Sequence, residues 1–291
     1  MTPYEDPDAL RFAVPKGRMY DGVVALLAEA GINVTQTARS YRPFITLERC
    51  EVKILKPQNI VEMLHEGSRD LGFAGADWVA ELDGDLVEVL DTELDPVRVV
   101  AAAPADMLVD GKLPDQSMVV ASEYERLTRG WIADQGLDAH FVRSYGATEV
   151  FPPEDADLIV DNTATGSTLE ANDLEIVDVL MRSSTRLYAS PRAFDDPARR
   201  ARIDDLTLLV RSVLEARRRV MVEVNIAEDR LPALLEVLPC MRRPTVSQLA
   251  GGDGFAVKAA VPRAELPSVI PRIKAAGGTD IVVTRLAQIV A

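Results

Sequence analysis

The feature that most constrains the fold of this chain is a unit that repeats along its first third: a short apolar run, a turn with glycine or proline, and an amphipathic helix. Apolar runs lie at 10–14, 52–55 and 70–75. A helical pattern over 19–30 follows the first, and Pro57, which suits a first helical turn, follows the second. Strands that alternate with helices are typical of α/β architecture. The three units therefore predict a first α/β domain.

A second set of the same kind follows without a long linker. Its predicted elements are strands at 99–103 and 118–121, a helix over about 124–135, and a strand at 140–143. Since no linker separates the two sets, we expect them to share a hinge and a cleft. Strands at 175–180 and near 187–189 come next, and the charged segment 191–219 has the apolar spacing of a connecting helix.

The composition changes again at Val220. From there the predicted order is a strand at 220–225, a helix at 230–238, strands near 246 and at 255–261, a helix at 266–276 and a strand at 280–283. This order is βαββαβ, the split unit of ferredoxin-like domains. Such modules often bind a small effector, although the fold alone does not imply it.

Composition limits the function classes. The chain has 291 residues, 47% of them hydrophobic and 27% charged, enough for two or three domains with a sizeable core. Its formal net charge of −14 argues against nucleic acid as a partner, because binding the backbone requires concentrated positive charge. The acidic N-terminal segment is unlike a signal peptide, and no apolar stretch is long enough to span a bilayer. We therefore expect a cytoplasmic protein with no membrane partner.

The two cysteines and two histidines carry little functional signal. Cys50 and Cys240 are far apart in sequence, so they form neither a metal-ligand spacing nor a disulfide framework. His65 lies inside a helical pattern and His140 opens a strand, and histidines in such positions are usually structural. We assign none of them to catalysis.

Residues 157–169 carry the strongest functional pattern. Leu158, Ile159 and Val160 form a short apolar run typical of a buried strand, and Asp161 follows at its predicted carboxyl end. A turn rich in hydroxyl groups comes next, with one glycine that allows close approach of a phosphate. Since a carboxylate repels phosphate, we expect Asp161 to bind sugar hydroxyls or magnesium. The alternative is an ordinary strand-to-helix turn with threonine and serine as helix caps.

Four collinear stretches resemble those of the ATP phosphoribosyltransferase family in its long form. They are Ala13-Val-Pro-Lys-Gly-Arg-Met, Asp70-Leu-Gly-Phe-Ala-Gly, Asp161 through Leu169, and Leu214-Glu-Ala-Arg-Arg leading into Pro244-Thr-Val-Ser. The resemblance implies a two-lobed α/β catalytic core similar to periplasmic binding proteins, plus a C-terminal ferredoxin-like, ACT-like βαββαβ domain. It implies one discontinuous lobe at 1–94 and 183–215, a second lobe with the phosphoribosyl-binding loop at 95–182, and a regulatory domain at 216–291.

The resemblance also implies a reaction. N1 of ATP attacks C1 of phosphoribosyl pyrophosphate, and pyrophosphate leaves with the help of Mg²⁺. This is the first step of histidine biosynthesis, and the family implies histidine as a feedback inhibitor and a homo-oligomer, a dimer or hexamer. Such a site must hold two polyanions and stabilise positive charge on the ribose carbon, with no covalent nucleophile.

By position, the resemblance implies the following site residues. Lys16, Glu149 and Asp161 would be catalytic, with Glu149 and Asp161 also next to the metal. The phosphoribosyl pyrophosphate loop would consist of Asp161, Asn162, Thr163, Ala164, Thr165, Gly166, Ser167 and Thr168. ATP would contact Arg18, Arg39, Lys56 and the backbone around Gly72 and Gly75, whereas Asp70 and Asp77 are expected only to cap turns or helices.

Two positions depart from the family pattern. The family usually has an apolar pair where this chain has Asn162 and Thr163, and a serine where it has Ala164. In the C-terminal module, Asn225, Thr245, Ser247 and Asp280 match the region that binds histidine in the family. The family often has a carboxylate near the position of Asn225, so an amide there implies weaker histidine binding.

Two other functions are compatible with parts of the pattern. A solute-binding protein without catalysis would share two α/β lobes around a cleft, but the missing signal peptide and the cleft cations argue against it. A purine-salvage phosphoribosyltransferase would share an acidic strand end and a Thr-Gly loop. That alternative leaves the Pro15-Lys-Gly-Arg18 turn and the C-terminal module unexplained.

Overall fold

A computed structural model describes residues 9–36 and 41–290. The chain separates into two compact units, one formed by Met1–Ala28 and Ile32–Asp205, the other by Glu29–Gly31 and Leu206–Ala291. Within the described ranges, every helix is too short or too polar to cross a membrane.

Seventeen α-helices and β-strands are described up to residue 218. They are β1 (Leu10–Pro15), α1 (Arg18–Glu29), β2 (Val34–Thr35), β3 (Phe44–Ile45), β4 (Cys50–Leu55), α2 (Pro57–His65), β5 (Leu71–Gly75), α3 (Ala76–Glu81), β6 (Val87–Pro104), β7 (Met118–Ser122), α4 (Glu125–Gln135), β8 (Ala139–Arg143), β9 (Leu158–Thr163), α5 (Ser167–Ala171), β10 (Leu174–Ala189), α6 (Pro191–Asp195) and α7 (Pro197–Arg218). The predicted α/β class is confirmed.

The first unit is built on an eight-stranded sheet in the order β4-β1-β5-β10-β6-β9-β7-β8. The long strands β6 and β10 form an antiparallel ladder at its centre. On one side β4, β1 and β5 are parallel to one another, and on the other side β9, β7 and β8 are. Each parallel set forms one α/β lobe, and the ladder joins the two lobes.

The ladder also brings the ends of the two parallel sets together. Gly75 at the end of β5 pairs with Thr185, which pairs across the ladder with Leu94. Thr163 at the end of β9 pairs with Arg98, only four positions further along β6. Because β5 and β9 run in opposite directions, their carboxyl ends face each other near the middle of the ladder. Ligands collect at the carboxyl ends of strands in such sheets.

Close packing fixes the glycine in β5. A Cβ added to Gly72 would lie 2.7 Å from Ile60 Cγ2 and 3.1 Å from Ala13 Cβ. Ile60 belongs to the fully buried face of α2, and Ala13 belongs to β1. Helix α2 therefore packs so closely on the sheet that a side chain at position 72 would clash with it.

A buried carboxylate holds the other end of the same lobe. Asp70 is 1% exposed, and its Oδ1 lies 2.6 Å from both Arg11 Nη2 and Arg199 Nη1. Burial opposes ionisation, but the hydrogen bonds and charge of Arg11 and the charge of Arg199 outweigh it and lower the pKa of Asp70. Asp70 is therefore a structural ion-pair residue rather than the turn cap expected from sequence.

Three expectations about the first unit need correction. The predicted strands at 175–180 and 187–189 are one strand, β10, whose register shifts disrupt the alternating pattern. The apolar run 99–103 is only the end of β6, because its first part is acidic and contains Pro96. The connecting helix is two helices, since Asp196 Oδ1 accepts hydrogen bonds from the N–H groups of Ala198 and Arg199 and starts α7 anew.

The second unit contains a four-stranded antiparallel sheet in the order β12-β13-β11-β14. Its elements are β11 (Arg219–Ile226), α8 (Leu231–Val237), β12 (Thr245–Gln248), β13 (Phe255–Pro262), α9 (Leu266–Ala275) and β14 (Thr279–Arg285). Alternate residues of β11 are buried, from Val220 to Ile226, and pack with the buried faces of α8 and α9. The predicted βαββαβ module is confirmed.

Candidate functional site

A cavity of about 300 Å³ lies where the two parallel sets meet. Arg18, the first residue of α1, lines it from one lobe, and Glu149 lines it from the other. The rest of its wall is one continuous stretch, from Asp161 to Leu169 without Gly166. The structure thus brings together most of the predicted phosphoribosyl loop and one predicted ATP contact.

The loop between β9 and α5 is held by its own hydroxyl groups. Thr163 Oγ1 accepts a hydrogen bond of 2.9 Å from the Gly166 N–H, and Thr165 Oγ1 accepts one of 3.3 Å from the Ser167 N–H. Gly166 has a φ of 93°, a left-handed conformation that favours glycine. The first turn of α5 leaves N–H groups without intrahelical acceptors, so the loop combines N–H and hydroxyl donors in a form that suits a phosphate.

Asp161 does not end its strand as expected, because β9 continues for two more residues. Its Oδ1 accepts a hydrogen bond of 2.7 Å from the Asn162 N–H, which favours the ionised form. Burial together with the nearby carboxylates of Glu149 and Glu123 outweighs this bond and raises the pKa of Asp161 to about 6. An acidic group with a pKa shifted toward neutrality in a cleft is typical of functional sites.

A short loop held by hydrogen bonds places Glu149 at the cavity. The buried hydroxyl groups of Ser144 and Thr148 lie 2.7 Å apart, and the Ser144 N–H donates to the Ser122 carbonyl at the end of β7. Gly146 and Ala147 both have positive φ, so the chain turns sharply before the single helical turn that carries Glu149. Glu149 is therefore held near Asp161 by β7.

The predicted lysines lie beside the cleft but do not line the cavity. Lys16 follows β1 and Lys56 follows β4, and the Lys16 N–H donates to the Leu55 carbonyl, so both follow the ends of neighbouring parallel strands. Both side chains are exposed, and Lys16 Nζ lies 5.8 Å from the centre of the Tyr41 ring. Arg39 lies outside the described residues.

The two predicted glycines of the ATP site differ in position. Gly72 is buried under α2, where packing accounts for it, and it does not line the cavity. Gly75 lines a second, smaller cavity of about 60 Å³. Arg18 and Asn162 line both cavities, which therefore adjoin.

The sequence analysis missed a buried polar network next to the smaller cavity. The Tyr124 hydroxyl lies 2.6 Å from Asp77 Oδ2 and 2.9 Å from Asn162 Nδ2, and Ser183 Oγ lies 2.7 Å from Asp77 Oδ1. Asp77 is thus not the helix cap expected from sequence. The only sequence signal for the network was the polar Asn162 at a position that the resemblance predicted to be apolar.

In the second unit, the residues matched to histidine binding lie on one sheet. Ser247 pairs with Ala256, which pairs with Asn225, which pairs with Thr279. Asn225 Nδ2 lies 3.1 Å from Asp280 Oδ2, so a carboxylate adjoins the amide at position 225. Thr245 and Ser247 are exposed on β12, two strands from Asn225.

Neither histidine lies at the cavity. His65 Nδ1 accepts a hydrogen bond from the Asp85 N–H, and His140 is an exposed residue of β8. Over residues 9–36 and 41–290, no group of three or more histidine, cysteine, aspartate or glutamate side chains could hold a metal ion by itself. Among the described residues, Glu149 and Asp161 are the two carboxylates that line the cavity, and the charge of Glu123 also lies close enough to raise the pKa of Asp161.

A two-lobed α/β core whose cleft is lined by a hydroxyl-rich loop suited to phosphate, a buried carboxylate and an arginine is the arrangement expected of enzymes that transfer a phosphorylated sugar. The sequence model of a family described as "ATP phosphoribosyltransferase" matches residues 56–212, and a model of the family's C-terminal domain matches residues 216–288. The chain belongs to the ATP phosphoribosyltransferase family, whose members are pentosyltransferases of histidine biosynthesis.

Similar proteins agree over nearly the whole length. An ATP phosphoribosyltransferase of Pelotomaculum thermopropionicum is 35% identical over 286 residues, 97% of this chain and 99% of its own. One of Desulforudis audaxviator is 37% identical over 278 residues, 94% of this chain and 96% of its own. A solved structure described as the "ATP phosphoribosyl transferase (HisG:HisZ) complex from Thermotoga maritima" has a TM-score of 0.61 and covers 69% of this chain and 98% of its own. At 24% identity, that likeness bears on the fold.

Proposed function

We propose that this chain transfers the phosphoribosyl group of phosphoribosyl pyrophosphate to N1 of ATP at the 300 Å³ cavity. The C1–oxygen bond to pyrophosphate breaks, the C1–N1 bond forms, and pyrophosphate leaves. The observation that carries this proposal is that Arg18 of one lobe and the Asp161–Thr168 loop of the other line the same space. The reaction must bring two polyanionic substrates together, and a cavity lined by both lobes can hold one substrate against each lobe.

The loop binds the 5-phosphate of the ribosyl donor. Its hydroxyl groups and the N–H groups of α5 donate hydrogen bonds, and Gly166 allows close approach. Arg18 binds the pyrophosphate or the phosphates of ATP, because its cation faces the same cavity. Lys16 and Lys56, exposed at neighbouring strand ends, add positive charge beside the cleft.

Asp161 stabilises the positive charge that develops on the ribose carbon as the bond to pyrophosphate loosens. Its burial supports this role, since a carboxylate interacts more strongly with a nearby cation where water is largely excluded. Glu149 lies on the same cavity and orients the ribose hydroxyl groups or the metal.

Mg²⁺ fits Glu149 and Asp161. Both carboxylates line the same cavity, and the charge of Glu149 helps to raise the pKa of Asp161, so the two suit a shared cation. Mg²⁺ is usually held by one or two carboxylates together with substrate phosphates. When bound, it neutralises charge on the leaving pyrophosphate.

The second unit binds histidine as a feedback inhibitor. Asn225, Asp280, Thr245 and Ser247 lie on one sheet, and Asp280 offers a carboxylate for the ammonium or imidazole group of histidine. The chain works in the cytoplasm and assembles as a dimer or hexamer, by analogy with the family. Its three domains follow the boundaries at 1–94 with 183–215, 95–182 and 216–291.

One assay tests the reaction. Protein, ATP, phosphoribosyl pyrophosphate and Mg²⁺ are mixed, and the ultraviolet absorbance of an N1-alkylated adenine is followed. We expect an increase that requires all four components. Release of pyrophosphate only when a free purine base replaces ATP would instead support a purine-salvage enzyme, and binding without turnover would support a solute-binding protein.

A further inference from the structure

Asn162 joins the phosphoribosyl loop to a buried chain of hydrogen bonds. Its Nδ2 lies 2.9 Å from the Tyr124 hydroxyl, which lies 2.6 Å from Asp77 Oδ2. Tyr124 is fully buried, and its ring stacks on Trp78 at 4.7 Å between ring centres. These hydrogen bonds link β9, the start of α4 and the start of α3, so they span both lobes.

The proton positions along this chain follow from Asp77. An ionised carboxylate can only accept hydrogen bonds. Asp77 Oδ1 accepts from Ser183 Oγ, and Oδ2 accepts from the Tyr124 hydroxyl. Burial and the charge of Asp77 raise the pKa of Tyr124, so its hydroxyl keeps its proton.

The hydrogen bond that Tyr124 donates to Asp77 fixes the orientation of the Asn162 amide. Since the only Tyr124 hydroxyl proton is donated to Asp77, the tyrosine oxygen accepts, and the amide must turn its NH₂ group toward it. The Asn162 carbonyl oxygen then faces away from Tyr124. Across the described residues it has no hydrogen-bond partner, although Asn162 lines both cavities.

We propose that Asn162 is a specificity-determining residue that accepts a hydrogen bond from a ribose hydroxyl of a bound substrate, and that Tyr124 and Asp77 are positioning residues that orient its amide. The inference rests on the proposed function. A bare acceptor repels phosphate, so its partner is a donor, and the hydroxyl groups of ribose are the donors that adjoin phosphates in both substrates. The resemblance predicts an apolar residue at this position, which could not make this contact.

The test compares Asn162→Leu with the wild-type protein. We expect the KM of one substrate to rise about tenfold, the effect of one lost hydrogen bond, with little change in kcat. If the ribose belongs to ATP, wild-type enzyme discriminates against 2′-deoxy-ATP or 3′-deoxy-ATP, and the variant does not. If it belongs to phosphoribosyl pyrophosphate, the KM for that substrate rises instead. Unchanged KM values for both would overturn the inference.

The positioning role has its own readout. Tyr124→Phe keeps the ring stacked on Trp78 but frees the amide, so we expect it to raise the same KM. In the Asn162→Leu background it should have no further effect, because Tyr124 acts only through Asn162. An equal effect in both backgrounds would show a merely structural tyrosine. Tyr188→Phe is the matched control, since Tyr188 is buried but lines neither cavity.

A pair of swaps guards against a folding artefact. Asn162→Asp alone places carboxylates on both sides of the single Tyr124 proton, so we expect a lower melting temperature. Adding Asp77→Asn reverses the direction of the hydrogen bonds, because Tyr124 can then donate to the new carboxylate at position 162 and accept from the new amide at position 77, and it should restore the melting temperature. Failure to restore it would contradict the assigned hydrogen-bond directions. Absence of wild-type turnover would refute the proposed function, whereas normal turnover with unchanged KM values in Asn162→Leu would refute only this inference.

Discussion

Asp161 combines the features of a catalytic group with a cost to stability. Its pKa of about 6 means that the ionised form prevails at neutral pH but is disfavoured by its surroundings. We expect kcat/KM to fall as the pH drops below about 6, because the protonated group no longer stabilises positive charge. In Asp161→Asn, this acidic limb of the pH–rate profile should disappear, and kcat should fall by about 100-fold. A pH–rate profile measures both.

The same shift predicts how stability depends on pH. A carboxyl group whose pKa is raised on folding weakens the folded state at any pH above its folded value, and the penalty disappears below its unfolded value near 4. We therefore expect Asp161→Asn to raise the melting temperature at pH 8 by roughly 4 °C, with no gain at pH 3. A variant that lost melting temperature and activity in parallel would contradict the catalytic role. Asp157→Asn is the control, because Asp157 lines neither cavity and should leave the acidic limb intact.

A substitution at Gly72 distinguishes a glycine that contacts ATP from one required by packing. A Cβ there would approach Ile60 and Ala13 closely, so Gly72→Ala should lower the free energy of unfolding by about 2 kcal/mol. The KM for ATP should not change, because Gly72 does not line either cavity. Gly130→Ala is the matched control, since a Cβ at Gly130 meets nothing within 4 Å and helix α4 favours alanine. A raised KM in Gly72→Ala alone would restore the ATP-binding interpretation.

At the scale of single residues, sequence reasoning located the loop but not its support. Asp161 to Thr168 could be identified because the pattern is local: an apolar strand, an acid, hydroxyl groups and a glycine. The Asp77–Tyr124–Asn162 network could not, because its members are separated by 47 and 38 positions and each is individually unremarkable. Only a fold that brings β9, α3 and α4 together creates it.

Among the elements, β1, β5 and α7 depend on one carboxylate. Asp70 is paired with Arg11 of β1 and Arg199 in the first turn of α7, and it immediately precedes β5. Asp70→Asn removes the buried charge that forms ion pairs with Arg11 and Arg199, so we expect the free energy of unfolding to fall by about 3 kcal/mol at pH 7. Chemical denaturation measures it.

The pH dependence of this loss has the opposite sign to that of Asp161. Because folding lowers the pKa of Asp70, its contribution is present above the unfolded value and lost as the pH falls through the folded one. The difference between wild type and Asp70→Asn should therefore shrink in acid. Asp83→Asn is the control, since its ion pair with Arg126 is exposed and should contribute less than about 1 kcal/mol. Equal effects of the two variants would contradict the structural role of Asp70.

Helices and short strands were predictable because their signals are local, whereas the two long strands were not. The period-two pattern of β10 is interrupted by register shifts, so 174–189 looked like two strands. The first half of β6 carries acidic residues and Pro96, which disfavour a strand on propensity alone. Pairing with β10 along nearly its whole length compensates for these preferences.

For the molecule as a whole, the regulatory proposal gives the widest prediction. We expect millimolar histidine to inhibit the full-length enzyme, and Asp280→Asn to raise the half-inhibiting concentration at least tenfold, because a carboxylate partner is lost. Inhibition is measured as a fraction of each protein's own rate without histidine. Asp253→Asn, an exposed acid in another loop of the second unit, is the control and should be inhibited like the wild type. Indifference of the wild-type enzyme to histidine would remove the regulatory role.

The central ladder of β6 and β10 sets the distance between the carboxyl ends of β5 and β9. The end of β5 is anchored to the ladder at Leu94 with Thr185, and the end of β9 is anchored at Arg98 with Arg182. Each residue of strand adds about 3.3 Å, which is close to the distance at which reacting atoms must be held. One residue inserted into or deleted from β6 between 94 and 98 would therefore shift the ends of β5 and β9 relative to each other by about that distance, and with them the residues that line the two cavities.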